Sequence, residues 1–162
     1  RDPAPNVRGV RRKDLWYYAA AQECTLISPA MHEEFILRHQ RPILEAFGLV
    51  AYGCCEDLTN KIGILRTIPN LRRIAVAPRA DVRRCAEQIG TDYVISWRPN
   101  PAETVCCGFD PARIRRLTAE AMDACRGLHV DITLKDIRTV QGRPERLVEW
   151  VRVTRDVADR YA

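Results

Sequence analysis

Hydrophobic residues along this chain gather in four short runs, and each run is followed by a helical stretch that mixes charged and hydrophobic residues. Short apolar runs bounded by turn residues are typical of β-strands. Because parallel strands need a crossover and the helices supply it, the alternation predicts an α/β fold with a parallel sheet. The predicted strands are Leu49–Cys54, Leu71–Ala77, Tyr93–Trp97 and His129–Leu134.

Glycine and proline residues mark the ends of the predicted helices. Gly90 and Gly127 follow helical stretches, where glycine adopts the left-handed conformation at little cost. Asp110 precedes Pro111, which is the order expected of an N-cap and a first helical residue. The predicted helices are Pro29–Phe47, Leu58–Ile68, Val82–Ile89, Pro111–Arg126 and Pro144–Tyr161, with a shorter helix around Leu15–Cys24.

Four βα units are half of an eight-stranded barrel, and such a sheet leaves two open edges and an uncovered inner face. We therefore expect residues 14–162 to form a half-barrel. The polar stretch 1–13 begins with Arg1 and is expected to mark a truncation boundary. The segment Arg98–Phe109 is predicted to be an enlarged loop. Loops at the carboxyl ends of the strands form the active sites of barrels, so the functional site is expected there.

Polar residues stand at the carboxyl ends of the predicted strands. By strand alternation, Ser96 shares a face with Arg98, and Asp131 shares a face with Thr133 and Lys135. We expect this polar face to bear the site and the opposite, hydrophobic face to pack on the helices. The first strand leaves two alternatives for the residues that point inward: either Tyr52, Cys54 and Glu56, or Ala51, Gly53 and Cys55.

Composition and charge narrow the classes of function. Acids and arginines are interleaved over the helices, so the net charge of +5 predicts solvated helix faces and no nucleic-acid partner. No apolar run approaches membrane-spanning length, so no membrane partner is expected. Seven cysteines without a secretory signal favour a reducing, cytoplasmic location. Cys85 and Cys125 fall on helical stretches, where buried and inert thiols are expected.

Several short motifs of the chain occur together in one known group of barrels. They are Ser28-Pro29, Tyr52-Gly53-Cys54-Cys55-Glu56, Ile68-Pro69-Asn70-Leu71-Arg72-Arg73, Arg98-Pro99-Asn100-Pro101 and Leu134-Lys135-Asp136. From about Asp14 onward, the chain resembles the C-terminal half of the uroporphyrinogen decarboxylase-like barrels. This superfamily includes uroporphyrinogen decarboxylase and the cobalamin-dependent methyltransferases. The resemblance implies the C-terminal half of a (β/α)8 TIM barrel, with four parallel βα units and a site at the strand carboxyl ends.

The methyltransferases of this group imply methyl transfer in corrinoid-linked one-carbon metabolism, with a corrinoid as the methyl donor. They bind zinc through a His-x-Cys pair at the end of the strand that corresponds to Leu49–Cys54 and through a later Cys. Cys54 matches the Cys of the pair, whereas Tyr52 stands at the His position and no later Cys is matched. A zinc site with Cys54 and Cys55 as ligands is one expectation, and ordinary strand-end cysteines are the alternative. The catalytic candidates are Glu56, Lys135 and Asp136.

The decarboxylases of the group imply a second activity, the decarboxylation of uroporphyrinogen in tetrapyrrole (haem) biosynthesis, which needs no cofactor. Their substrate is a polyanion held by basic side chains, and guanidinium groups pair well with carboxylates. Local pairing with acids is the alternative role for the arginines. The candidate substrate-binding residues are Arg79, Arg98, Asn100 and Arg138.

A third hypothesis is that the chain is a non-catalytic fragment or a half-barrel subunit. Its partner would be an N-terminal half-barrel or further copies of itself in a homo-oligomer, beside a small-molecule or corrinoid-protein substrate. An isolated half-barrel exposes strand edges and an inner face, so self-association is expected.

Overall fold

A five-stranded parallel β-sheet organises the chain, whose computed structural model describes residues 9–161. The strands lie in the sheet in the order in which they occur in the chain, and every neighbouring pair is parallel. The predicted α/β class and the four predicted strands are confirmed, and the sheet contains one strand more than predicted. The strands are β1 Trp16–Ala19, β2 Leu49–Tyr52, β3 Leu71–Val76, β4 Val94–Trp97 and β5 Val130–Ile132.

Helices connect successive strands and follow the last one. The prediction for Leu58–Ile68 is too long, because the α-helix covers only Ile62–Leu65. The predicted loop Arg98–Phe109 contains a π-helical turn, Ala102–Cys106. The α-helices are α1 Pro29–His32, α2 Arg38–Leu44, α3 Ile62–Leu65, α4 Val82–Ile89, α5 Pro111–Ala124 and α6 Glu145–Ala158, and a π-helical segment, Glu33–Leu37, joins α1 to α2.

The prediction of a short helix around Leu15–Cys24 is wrong, because Trp16–Ala19 forms strand β1 and pairs with β2. Aromatic residues fit a pleated, half-buried surface well. The Tyr17 ring packs on the ring of Phe47, with centroids 4.7 Å apart, and this contact ties the strand to the following crossover. Tertiary pairing therefore decides the conformation of this segment.

The helices pack on one face of the sheet. Val50, Ile74 and Ile95 stand at the centres of β2, β3 and β4, and all three have no exposed surface. They meet apolar residues of the helices, as the predicted hydrophobic face requires. The helix residues in this core include Leu37, Leu44, Ile62, Leu65, Cys85 and Ile89, and Cys125 joins them from the end of α5.

The opposite face of the sheet is polar in its centre. Arg73 on β3 bonds both carboxylate oxygens of Asp131 on β5, each at 2.5 Å, and the hydroxyl of Ser96 on β4 at 2.9 Å. Trp16 and Tyr18 of β1 remain 41% and 46% exposed. Residues from four of the five strands thus form a polar and aromatic surface on the side away from the helical core.

The structure resolves the two alternatives for β2. The Tyr52 hydroxyl lies 3.0 Å from Nε2 of His32 and donates to Gln40 at 2.7 Å, so Tyr52 points toward the helices. Ala51 pairs with Arg73 and lies on the polar face. Gly53 then adopts a φ of +102°, which ends the strand alternation before Cys54.

Two further expectations concern the whole chain. Among the residues that the structure describes, no helix combines the length and the apolar character that crossing a membrane requires. Residues 1–8 of the predicted N-terminal stretch 1–13 lie outside the described residues, and a short 3-10 helix, Arg12–Asp14, precedes β1.

Candidate functional site

The carboxyl edge of the sheet brings together two cysteines and a lysine that are distant in sequence. Cys54 and Cys55 follow β2, and Lys135 and Asp136 follow β5. Parallel strands place their carboxyl ends at one edge, which is why segments so far apart meet. We call Cys54, Cys55, Lys135 and Asp136 the thiol cluster.

Lys135 is the centre of the thiol cluster. Its Nζ donates a short hydrogen bond to the sulfur of Cys54 and lies 3.2 Å from the sulfur of Cys55. The two sulfurs are 3.3 Å apart. Cys55 donates to Oδ2 of Asp136 at 3.0 Å, and the Asp136 carboxylate lies 3.5 Å from Nζ of Lys135. Because the Cys55 proton is directed to Asp136, the contacts of Lys135 favour a negative charge on Cys54.

The thiol of Cys54 is acidified by this arrangement. Burial raises its pKa, but hydrogen bonds from Lys135, Tyr18, Cys55 and Gln22 outweigh burial and lower the pKa from 9.0 to about 6. Cys54 is therefore mainly a thiolate at neutral pH. A thiolate is the nucleophilic form of cysteine and the form that binds metals.

The pKa values of Cys55 and Lys135 are both raised, which is opposite to the change at Cys54. Burial and the hydrogen bonds to Asp136 and Cys54 raise the pKa of Cys55 to about 11. Burial lowers the pKa of Lys135, but its hydrogen bonds to both sulfurs raise it further, so the ammonium persists above its ordinary range. The cluster thus combines one thiolate, one neutral thiol and one cation at neutral pH.

Two residues of the N-terminal segment complete the surroundings of Cys54. The Tyr18 hydroxyl bonds its sulfur, and Nε2 of Gln22 lies 3.8 Å from it. Cys54 is only 3% exposed, although Tyr18 and Gln22 are themselves exposed. Sequence reasoning missed both residues because it placed them on a helix. The run of aromatic residues before Gln22 was the available signal for a strand.

Arg98 was expected to bind substrate, and the structure places it beneath the thiol cluster. It is 5% exposed, and its Nη1 donates to the backbone carbonyl of Cys54 at 2.7 Å. The same nitrogen lies 3.3 Å from the Tyr18 hydroxyl, and the guanidinium stands 5.8 Å from the centre of the Tyr18 ring. These contacts make Arg98 a support for the backbone that carries Cys54.

Replacing Arg98 by Ala is expected to lower the free energy of unfolding by about 2–4 kcal/mol, because it removes a charge-assisted bond and leaves a buried carbonyl unpaired. Chemical denaturation measures this effect. Arg138→Ala is the matched control, since Arg138 is exposed and its loss should change stability by about 0.5 kcal/mol or less. Equal stability of the two variants would contradict a supporting role for Arg98.

The remaining candidates lie around the cluster rather than in it. The carboxylate of Glu56 accepts bonds from the hydroxyl and the backbone N–H of Thr25, which hold its pKa below the usual value. Glu56 and the exposed Arg79 line an open cleft of about 690 Å³ beside Cys55. Asn100 accepts a bond from the backbone N–H of Ala102 at 3.0 Å and thereby shapes its own loop.

The residues of the thiol cluster do not fit a zinc ion. A positive charge already lies against both sulfurs, because the ammonium of Lys135 contacts each of them. Tyr52, at the position of the expected His, turns its hydroxyl to the helical side of the sheet. Within residues 9–161, no three His, Cys, Asp or Glu side chains are arranged to hold a metal ion.

Comparison of the chain with protein-family models, with curated proteins and with solved structures finds no match. The site itself combines a thiolate, a neighbouring cation and a carboxylate, all at the carboxyl edge of a parallel sheet. Such a group can attack an electrophilic carbon or bind an anion.

Proposed function

We propose that the chain is the C-terminal half of a (β/α)8 barrel of the uroporphyrinogen decarboxylase-like superfamily and that it transfers methyl groups in corrinoid-linked one-carbon metabolism. The observation that carries the activity is the Cys54 thiolate beside Lys135 at the carboxyl edge of the sheet. Barrel enzymes place their catalytic groups at this edge. The motifs that contain Cys54 and Lys135 are among those that resemble this superfamily.

The shape of the sheet supports a half-barrel. In a closed barrel, the helices surround the sheet and the inner face is filled by layers of side chains from alternate strands. Here the helices lie on one face, and Arg73, Ser96 and Asp131, from three consecutive strands, form a hydrogen-bonded polar layer on the other. We expect the layer to be covered by an N-terminal half-barrel or by another copy of this chain. A chain that acts as a half-barrel subunit would be covered in the same way.

Methyl transfer needs a nucleophile that attacks the methyl carbon while the donor leaves with the bonding electrons. The Cys54 thiolate supplies the nucleophile. The Lys135 ammonium keeps the sulfur ionised, and Arg98 fixes the backbone of Cys54. Asp136 accepts a hydrogen bond from the Cys55 thiol, and the shorter of the two Lys135 bonds goes to the sulfur of Cys54.

Decarboxylation of a polyanionic tetrapyrrole is the second candidate. The observation in its favour is the pair of cations at the same edge, Lys135 in the cluster and the exposed Arg79 on the neighbouring cleft. Both can pair with substrate carboxylates. This activity makes no use of the Cys54 thiolate, and for that reason we rank it second.

The test uses the chain together with the half-barrel that covers its sheet, which we call the completed barrel. The visible spectrum of methylcobalamin measures the cleavage of its cobalt–carbon bond. We expect turnover that falls at least about tenfold in Cys54→Ser, since the nucleophile is lost. Cys107→Ser is the matched control, because Cys107 is an exposed free cysteine whose sulfur takes no part in the hydrogen bonds of the thiol cluster. Decarboxylation of uroporphyrinogen without methyl transfer would replace this proposal by the second candidate.

A further inference from the structure

Two adjacent cysteines of the thiol cluster direct their sulfurs toward each other. The sulfurs of Cys54 and Cys55 lie 3.3 Å apart, and the ammonium of Lys135 contacts both of them. The chain has a second adjacent pair, Cys106 and Cys107, whose sulfurs take part in no hydrogen bond within residues 9–161. The first pair therefore combines neighbouring sulfurs with a cation, and the second pair provides a comparison within the same chain.

We propose that Cys54 and Cys55 form a redox-active pair that exchanges with small thiols and disulfides bearing carboxylate groups. Cys55 is the sulfur that reacts with the external molecule, and Cys54 is the sulfur that opens and closes the protein disulfide. This activity goes beyond the proposed methyl transfer and does not depend on it.

The exposure of the two residues determines the order in which they react. Cys55 is exposed and lines the open cleft of about 690 Å³, whereas Cys54 is 3% exposed. A disulfide that enters the cleft therefore meets Cys55 first. Cys54 then needs no path for an external molecule, because it reacts with the Cys55 sulfur that it already contacts.

Oxidation takes two steps, with an external disulfide as the oxidant. In the first, the Cys55 thiol gives its proton to the Asp136 carboxylate, which lies 3.0 Å away, and its sulfur attacks the external disulfide and releases one thiolate. In the second, the Cys54 thiolate attacks the Cys55 sulfur of this mixed disulfide, and the second external thiolate leaves with the bonding electron pair. One external thiolate then takes up the proton held by Asp136, so atoms and charge balance.

Reduction reverses these steps, and the cluster favours it. An external thiolate attacks the Cys55 sulfur, and Cys54 leaves as a thiolate that Lys135 stabilises. A thiol of low pKa is the better leaving group, and the pKa of Cys54 is lowered to about 6. The external thiol is thereby oxidised, while the protein disulfide is reduced.

The adjacency of the two cysteines also favours the reduced form. Their Cα atoms are joined by a trans peptide, which sets them about 3.8 Å apart. Disulfides usually join Cα atoms that are roughly 4.4–6.8 Å apart, and shorter spans strain the bond and make it easier to reduce. We therefore expect a disulfide that forms under oxidising conditions and opens readily when they end.

The cleft beside Cys55 indicates the kind of molecule that exchanges with it. Arg79 is exposed and forms no ion pair within residues 9–161, so its guanidinium is available to a carboxylate of the ligand. The exposed carboxylate of Glu23 lies on the same cleft and suits an amino group. The volume is in the range of small-molecule sites, which is roughly 300–1,000 Å³. A small peptide thiol that carries both amino and carboxylate groups fits this distribution of charge.

The experiment equilibrates the unaltered chain with mixtures of reduced and oxidised glutathione at neutral pH. Free thiols are then blocked in denaturant, and the cysteines are mapped by peptide mass spectrometry. We expect a disulfide between Cys54 and Cys55, seen as the loss of two hydrogen atoms from the peptide that contains both. At the same glutathione ratio, Cys106 and Cys107 should form no disulfide with each other.

Single variants separate the roles of the two sulfurs. In Cys54→Ser, a mixed disulfide with glutathione should accumulate on Cys55, because the sulfur that resolves it is missing. In Cys55→Ser, glutathione should join Cys54 at least about threefold more slowly, since access limits the reaction at a buried sulfur.

Lys135→Met tests the part played by the cation. Reduction yields a Cys54 thiolate that this variant no longer stabilises, so the equilibrium constant for reduction by glutathione should fall about five- to tenfold at neutral pH. Lys13→Met is the control, because the ammonium of Lys13 bonds the carbonyl of Glu45 away from the cluster, and its equilibrium constant should not change.

Three results would overturn the proposal. The first is the absence of a Cys54–Cys55 disulfide in the unaltered chain, or equal oxidation of Cys106 and Cys107. The second is faster reaction of glutathione at Cys54 in Cys55→Ser than at Cys55 in Cys54→Ser. The third is an unchanged equilibrium constant in Lys135→Met. Thermal unfolding establishes that each variant is folded, and the unaltered chain decides the matter if a variant is not.

Discussion

Replacing Lys135 by Met is expected to raise the pKa of Cys54 by roughly one to three pH units, because the variant removes the cation in contact with the thiolate. The native pKa of about 6 leaves about half of Cys54 ionised at pH 6. A thiol of higher pKa is ionised far less at that pH, and its greater intrinsic nucleophilicity compensates only in part. The rate of alkylation of Cys54 by methyl iodide at pH 6 should fall about three- to tenfold.

In the native chain, the alkylation rate should rise as the pH passes through about 6 and then level off. In Lys135→Met the rise should move to higher pH, and the two profiles should cross in alkaline solution, because the fully ionised thiolate of higher pKa is the stronger nucleophile. Lys13→Met serves as the control, because the ammonium of Lys13 bonds the carbonyl of Glu45 away from the cluster. Overlapping profiles for all three proteins would show that Lys135 does not stabilise the thiolate.

Gly53→Ala is expected to destabilise the chain by about 2–4 kcal/mol, since two separate costs add at this position. Gly53 has a φ of +102°, a region that residues with a side chain avoid. An added Cβ would also lie 2.7 Å from Cδ1 of Leu58 and 3.0 Å from the Cβ of Ala75, both in the buried interior. The shift that relieves these contacts would move Cys54 relative to Lys135.

Gly127→Ala separates the two costs. Gly127 has a φ of +75° but no atom within 4 Å of the position of an added Cβ, so only the conformational cost of about 1 kcal/mol applies. Denaturant titration of both variants measures the difference. Equal losses at the two positions would mean that the close packing around Gly53 relaxes without cost.

The fold was largely predictable because its signals are local. Alternating strands and helices gave β2–β5, and the N-cap Asp110 gave a helix start that the structure confirms. Strand β1 was missed because four residues carry little periodicity, and their conformation depends on pairing with β2. The length of α3 was overestimated for a related reason, since turns around Lys61 and Thr67 replace helix at both ends.

The residues that meet at the carboxyl edge of the sheet were predictable, whereas their contacts were not. Strand ends of a parallel sheet converge, so Cys54, Cys55, Lys135 and Asp136 were all named from sequence. Their contacts depend on the turn at Gly53, whose backbone angles the sequence does not reveal. The buried position of Arg98 depends equally on three-dimensional packing. Strand alternation predicts the face of the sheet on which a side chain lies but not how deeply it is buried.

The most direct test of the account is a pH titration of thiolate absorbance, taken as the difference between the native chain and Cys54→Ser. We expect a single thiolate that appears with a midpoint near pH 6 and is mostly formed at pH 7. The same signal should move to higher pH in Lys135→Met. A thiolate that forms only in the ordinary range of cysteine, above pH 8, would contradict the claim that Lys135 holds Cys54 ready for methyl transfer.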